Sequence, residues 1–305
     1  MPIKIPNSLP ATEILEQENI FVMTEKRAIQ QDIRPLNVLI LNLMPTKIVT
    51  ETQLLRKLSN TPIQIEVEFL KTASYIPQHT DPTHLDTFYT TFDEIKDRKF
   101  DGMIITGAPL DYIRLEDVAY WTEICEIMDW CKTHVHCTMH LCWAAYAGLY
   151  HYFGIDKYDL PEKLSGVYEH TVIRKNSPLF RGFDDIFFAP QSRATSVNEK
   201  DIRAVADLEL MAVSEKAGVT IVKTTDNRHF FMTCHPEYDA DTLAKEYYRD
   251  LEKGMKPKIP YNYFPDDDPE QKPVVRWRST GQLIFSNWLN YYVYQSTPYD
   301  IEEVI

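Results

Sequence analysis

From Leu36 onward the chain alternates short apolar runs with longer helix-periodic ones, and this order restricts the fold more than any other feature. Leu36 to Met44 (LNVLILNLM) is nearly continuous in branched apolar residues, as expected for a central strand covered on both faces. A helical stretch follows at Glu51 to Leu58. Ile63, Ile65, Val67 and Phe69 then alternate with Gln64, Glu66 and Glu68, the period of a half-buried strand. The same alternation predicts a helix over Leu85 to Lys96, a strand over Gly102 to Thr106, a helix over Glu116 to Thr133, a strand over Val135 to Leu141 and a helix over Trp143 to Phe153. Strand-helix-strand order forces parallel strands joined by crossover helices. The expected fold class is therefore α/β, a mostly parallel central sheet with helices on both faces.

The second half changes character. Short strands are predicted at Gly166 to Ile173, Asp185 to Ala189, Leu208 to Ser214, Val219 to Lys223 and His229 to Thr233, extending the sheet in mixed or antiparallel fashion. Asp241 to Lys253 reads as an amphipathic helix. Lys256 to Pro273 holds five prolines and the run DDDPE, a surface excursion. Gly281 to Gln295 reads as a last helix carrying Phe285, Trp288, Leu289, Tyr291, Tyr292 and Tyr294, which requires burial against a partner or the domain body. The expected organisation is a segment 1–35 packed on the main domain, an α/β catalytic domain over 36–255, and a C-terminal part 256–305 belonging to the same unit. A chain of 305 residues buries about three quarters of its unfolded surface, enough for a core without staples.

Charge and glycine usage exclude several functions. A net charge of −13 repels phosphate backbones and anionic membranes, so nucleic acid and membrane surfaces are not expected partners. The nine glycines include no pair separated by one residue, which rules out G-x-G-x-x-G, and the pair Gly102 and Gly107 is followed by Ala108 and Pro109 where a P-loop needs Lys and Ser or Thr. Five cysteines is an odd number, and the opening MPIKIPNSLPATEIL has no apolar signal core, so a reduced, soluble, cytoplasmic protein is expected.

In open α/β sheets reactive groups gather beyond the carboxyl ends of the strands, where TGAPLD, HLCWA and CHPEY arrive. Cys142 sits where a strand pattern turns abruptly into a helix pattern, the setting of a nucleophile elbow, with a helix N-terminus that favours negative charge on the sulfur. A buried core cysteine is the competing reading, and it is the one adopted for Cys125, Cys131 and Cys137. His235 and Glu237 flank Pro236 after the apolar run HFFMT. Residues i and i+2 of an extended segment point the same way, so Glu237 can hold the ring of His235 in one tautomer. His134, His136, Cys137, His140 and Cys142 do not match a metal-ligand spacing, and no metal is expected.

These residues carry a family likeness. Cys142 at an elbow with His235-Pro236-Glu237 at a later strand end resembles the class I glutamine amidotransferase fold and its Cys-His-Glu triad, here with a C-terminal helical extension. The stretches LNLMPTKIVTETQLLRKLSNTPIQIEVEFL, TGAPLDYIRLEDVAYW, MHLCWAAYAGLYHYFGI, KLSGVYEH, PQSRAT and TCHPEYD resemble the homoserine O-acyltransferases of amidotransferase-like type, across nearly the whole chain. The elbow His140-Leu141-Cys142-Trp143-Ala144 lacks the flanking glycines of ordinary amidotransferases. The resemblance implies that Cys142 holds an acyl thioester, that His235 accepts protons and Glu237 orients it, and that Lys163, Ser192 and Arg249 contact the substrate. A loop lysine, a turn serine and a surface arginine are their plainer readings. It implies homoserine and an acyl-CoA as partners, no cofactor beyond that substrate, and a homodimer. In this family the residue after TGAPL tracks the donor, glutamate with acetyl-CoA and glycine with succinyl-CoA. Asp111 is neither. A carboxylate there repels the succinyl carboxylate, so acetyl-CoA is the expected donor, with turn capping the alternative for Asp111. A glutaminase or cysteine hydrolase would use the same triad with water as acceptor.

Overall fold

A computed structural model describes residues 34–75 and 80–304, together with two short strands, β1 (Ile3–Ile5) and β2 (Val22–Thr24), which pair in parallel. The expected packing of segment 1–35 on the main domain otherwise lies outside the described residues. The chain continues through β3 (Leu36–Leu41), α1 (Lys47–Leu58), β4 (Ile65–Leu70), α2 (Pro82–Phe88), β5 (Tyr89–Thr90), α3 (Phe92–Ile95), β6 (Phe100–Ile105), α4 (Trp121–His134), β7 (Val135–Leu141) and α5 (Trp143–Phe153). It then runs through β8 (Tyr158–Val172), β9 (Ile186–Ser196), α6 (Glu199–Ala204), β10 (Leu208–Ser214), β11 (Gly218–Thr224), β12 (His229–Met232), α7 (Thr242–Glu252) and α8 (Arg278–Asn287).

One ten-stranded sheet, ordered β5-β4-β3-β6-β7-β12-β11-β10-β8-β9, organises the molecule. Pairing is parallel from β5 through to β12 and antiparallel from β12 to β9. The sheet thus changes sense at β12, the last parallel strand. Val38 and Ile40 of β3 enter one apolar cluster while Leu39 and Leu41 enter another, which is why that strand is apolar at nearly every position.

Several elements depart from the sequence expectation. The helix expected over Leu85 to Lys96 is broken into α2, β5 and α3. Tyr89 is extended there, its ring buried and its hydroxyl donating to Glu51 Oε1 at 2.5 Å, and Thr91 and Glu94 form a capping box that starts a new turn. The helix expected from Glu116 begins only at Trp121, because Val118 is extended after a 3₁₀ turn at Leu115–Asp117. Strand β8 begins eight residues before Gly166. Its start, Tyr158 to Lys163, is mostly exposed at the edge ribbon with β9, so it carries no apolar alternation to read. Strand β9 likewise runs past Ala189 to Ser196.

The C-terminal part folds back onto the sheet. After α8 the chain widens into a π-helical stretch, Trp288–Tyr294. Phe285, Trp288, Leu289 and Val293 are fully buried in the cluster that contains Val38, Ile40 and Met139, and Trp288 Nε1 donates to Cys137 Sγ at 3.1 Å. The domain body therefore covers these aromatics. The proline-rich excursion is also tied down, since Tyr261 N and Val167 N exchange hydrogen bonds with Ser165 O and Tyr261 O at 2.9 and 2.8 Å. Gly166, at φ 145°, permits this contact, because a Cβ there would lie 2.4 Å from the Tyr261 backbone. Tyr263, Phe264 and Trp277 then bury against Val167, Tyr238 and Leu243, next to the segment that carries His235.

Candidate active site

Strands β7 and β12 lie side by side in parallel, and both end at the same rim of the sheet. One residue beyond β7, Cys142 takes φ 50° and ψ −113°, a conformation that costs a β-carbon residue energy and points its side chain out at a sharp turn. Two features hold it. Cys142 N donates to Met232 O at 2.7 Å, and Gly107 approaches so closely that a Cβ there would stand 3.1 Å from Cys142 Cβ. Helix α5 starts at Trp143, and its first amides have no acceptor within the helix. A Cβ on Gly148 would meet Phe231 Cε1 at 2.7 Å, so this glycine lets α5 lie close against β12.

Past the end of β12, His235 is fixed by its amide, which donates to Pro190 O at 2.9 Å, and by its ring, stacked on Tyr238 with centroids 4.1 Å apart. Nδ1 lies 2.6 Å from Glu237 Oε1, and the ring is electrostatically coupled to the side chain of Cys142. All three side chains are buried; Cys142 is 6% exposed. Burial pulls the imidazole towards its neutral form, but the Cys142 and Glu237 charges outweigh it, and His235 titrates well above its ordinary range. By contrast burial pushes the thiols of Cys125, Cys131 and Cys137 up to about 11, 12 and 12. Buried Cys234 also moves up. Cys142 is the cysteine whose charge acts on His235.

A second group lies behind the His235 ring. Tyr238 Oη donates to Glu246 Oε1 at 3.0 Å, Ser192 Oγ donates to Glu246 Oε2, and Lys163 Nζ sits 3.5 Å from the same oxygen and 3.6 Å from Asp250 Oδ2. Lys163 and Ser192 are thus joined through Glu246, which the sequence reading did not single out. Its signal was faint: Glu246 and Asp250 are acids at i and i+4 on α7, both turned inward from a helix whose other charges face water. Arg249 stands apart, with half of its side chain exposed and its Nε and Nη2 donating to Asp250 Oδ1 at 2.9 and 2.7 Å. Asp111 lies across the rim. Its carboxylate accepts from Thr195 Oγ1 at 3.2 Å, and Tyr146 feels the charges of both Asp111 and Cys142. The bond from β9 argues against simple turn capping. Among the described residues no three His, Cys, Asp or Glu side chains are grouped to hold a metal ion. His140 is instead a core residue, stacked on Phe231 at 4.9 Å.

A doubly wound sheet with a cysteine elbow and a His-Glu pair beyond adjacent strand ends defines the class I glutamine amidotransferase-like fold. Solved glutamine amidotransferases from Thermotoga maritima (TM-score 0.55, 13% identity, covering 84% of this chain and 98% of that one) and Methylobacillus flagellatus (TM-score 0.51, 11% identity, 85% and 95%) share it. Within that fold the sequence profile described as homoserine O-succinyltransferase matches residues 2–299, and the chain belongs to this family of acyltransferases. Relatives named homoserine O-acetyltransferase include those of Petrotoga mobilis, 57% identical over 100% of this chain and 98% of theirs, and Geobacillus kaustophilus, 59% identical over 99% and 100%.

The geometry generates a direct expectation for titration. In Cys142→Ala the imidazole loses the thiolate that raises it and keeps the burial that lowers it, so its midpoint falls. Nitrogen-edited NMR of the His235 ring in the two proteins measures this, and an unchanged midpoint would mean that the two side chains do not interact.

Proposed function

We propose that this chain acetylates the γ-hydroxyl of L-homoserine, taking the acetyl group from acetyl-CoA through a thioester on Cys142 and releasing O-acetyl-L-homoserine and CoA. The observation that carries the reading is the strained elbow of Cys142 beyond β7, with His235, held by Glu237 at 2.6 Å, beyond the adjacent parallel strand β12. In the first half-reaction the Cys142 thiolate attacks the thioester carbonyl, the first amide of α5 at Trp143 faces the developing oxyanion, and the CoA sulfur leaves with the proton of His235. Acylation removes the thiolate charge that held His235 protonated, so burial now favours a neutral ring that accepts a proton. In the second half-reaction the homoserine hydroxyl gives that proton to His235 as its oxygen bonds the acyl carbon, and the cleaved thioester returns its electron pair to Cys142.

Glu246 supplies a half-buried carboxylate for the substrate ammonium, and Lys163 with Arg249 supplies cations for its carboxylate. Arg249 must exchange Asp250 for the substrate to do so. The family description names succinyl and the relatives name acetyl. Asp111 favours acetyl here: its carboxylate, held by Thr195 on the side of Cys142, disfavours a second carboxylate at the acyl end. No separate cofactor enters these steps, and methionine biosynthesis in the cytoplasm is the setting they fit. A homodimer rests on the family likeness, since the aromatic C-terminal segment is covered within the chain.

Intact mass after mixing with acetyl-CoA tests the intermediate. One acetyl adduct is expected in the wild type, Cys125→Ala and Cys137→Ala, and none in Cys142→Ala; an adduct that survives in Cys142→Ala moves the nucleophile elsewhere. The acceptor pocket is read by separating the half-reactions. Glu246→Gln and Arg249→Lys should each weaken homoserine use by roughly 1.5–3 kcal/mol in kcat/KM, while the adduct forms at the wild-type rate. Equal damage to both halves would make these residues structural. For the donor, Asp111→Gly should shift the ratio of kcat/KM for acetyl-CoA over succinyl-CoA towards succinyl-CoA, and Thr195→Val should move it the same way by a smaller factor. Wild-type protein that prefers succinyl-CoA would overturn the assignment.

A further inference from the structure

A cavity of about 870 Å³ lies far from the acyl-transfer site, at the opposite ends of the same strands. His136 near the start of β7 and Arg228 just before β12 line it, whereas Cys142 and His235 follow the far ends of these strands. Six residues of extended chain separate His136 from Cys142, roughly 20 Å. The space falls within the range of small-molecule sites and greatly exceeds what one inorganic anion fills.

Its lining does not match the rest of the protein. Arg174, Lys175, Lys223 and Arg228 line it with two acids, Glu209 and Asp226, and a third, Asp185, pairs Lys175 from outside the lining, in a chain whose net charge is −13. Lys223 is paired with Glu209 at 2.6 Å and Lys175 with Asp185 at 2.6 Å, while the Arg174 side chain makes no hydrogen bond or ion pair among the described residues. Tyr291 and Tyr292, from the π-helical stretch, also line it, with the Arg181 guanidinium 5.6 Å from the Tyr291 ring on one side and the Tyr292 hydroxyl 3.0 Å from Ser177 Oγ. Such wide turns recur at functional sites, and this one brings two successive tyrosines to the same cavity.

We propose that this cavity is a second ligand site, separate from the acyl-transfer site, that takes a nucleotide phosphate with its ring against Tyr291 and its phosphates against Arg174 and Lys175. Stacking and charge together select this class: an aromatic body suits the tyrosines, and phosphate oxygens suit a guanidinium fork beside an ammonium. A free nucleotide and the nucleotide end of CoA share that chemistry, and the experiment separates them.

Calorimetric titration of the full chain with ADP, with inorganic phosphate as a second probe, tests the site without reference to acyl transfer. ADP should bind the wild type, bind more weakly as salt rises, and bind Arg174→Glu/Lys175→Glu about tenfold more weakly or worse. Both substitutions are on exposed side chains. Phosphate alone should bind more weakly than ADP, and the KM for acetyl-CoA should be unchanged in the double variant. Absence of ADP binding at millimolar concentration overturns the proposal, as does equal affinity in the double variant. Phosphate binding as tightly as ADP would remove the role of the tyrosines. A KM for acetyl-CoA that rises in step with the loss of ADP binding would make the cavity the CoA nucleotide site and overturn its separateness.

Discussion

The candidate active site depends on the parallel pairing of β7 with β12. Their register places Phe231 opposite His140 and Met232 opposite Leu141, so the hydrogen bond from Cys142 N to Met232 O continues the ladder by one step. That step fixes the elbow against the strand whose continuation carries His235. A slip of one residue would reverse the faces of every side chain on β12 and part the cysteine from the histidine. The change of sense at β12 matters for the same reason. Its other neighbour, β11, is antiparallel, so Thr233 N can bond Thr220 O while the chain turns away to place His235 and Glu237 above the rim.

Two kinds of electrostatics divide the rim. Around His235, burial and charge oppose one another, burial lowering the titration of the ring and the Cys142 and Glu237 charges raising it. Around Glu246 the acid is already shared by a tyrosine, a serine and a lysine, which holds α7 against β8 and β9. Tyr238 connects the two, with its ring on His235 and its hydroxyl on Glu246.

Legibility in the sequence followed the range of the interactions. β7 and α5 were readable to the residue because period 2 gives way to helix period at Cys142, and the closeness of His235 and Glu237 was readable because both belong to one extended segment. The break within Leu85 to Lys96 was not readable, since it depends on Glu51 and Asn42 from distant elements holding the Tyr89 hydroxyl. The start of β8 was hidden by its exposure, and the hub at Glu246 by the fact that its partners come from β8, β9 and the turn after β12. For the C-terminal aromatics the pattern specified burial but not against what, and the answer is the face of the sheet that Trp288 shares with Gly102.

The burial of Cys142 also governs what else can react with it. The residue is only 6% exposed, so reagents are sorted by shape before their electrophilicity counts. A slender electrophile fits such an approach, whereas a bulky maleimide or a second protein thiol does not. The same burial slows mixed-disulfide formation with large partners and leaves small peroxides as the oxidants that reach it, which places the vulnerability of this thiol at the sulfenic acid step rather than at cross-linking.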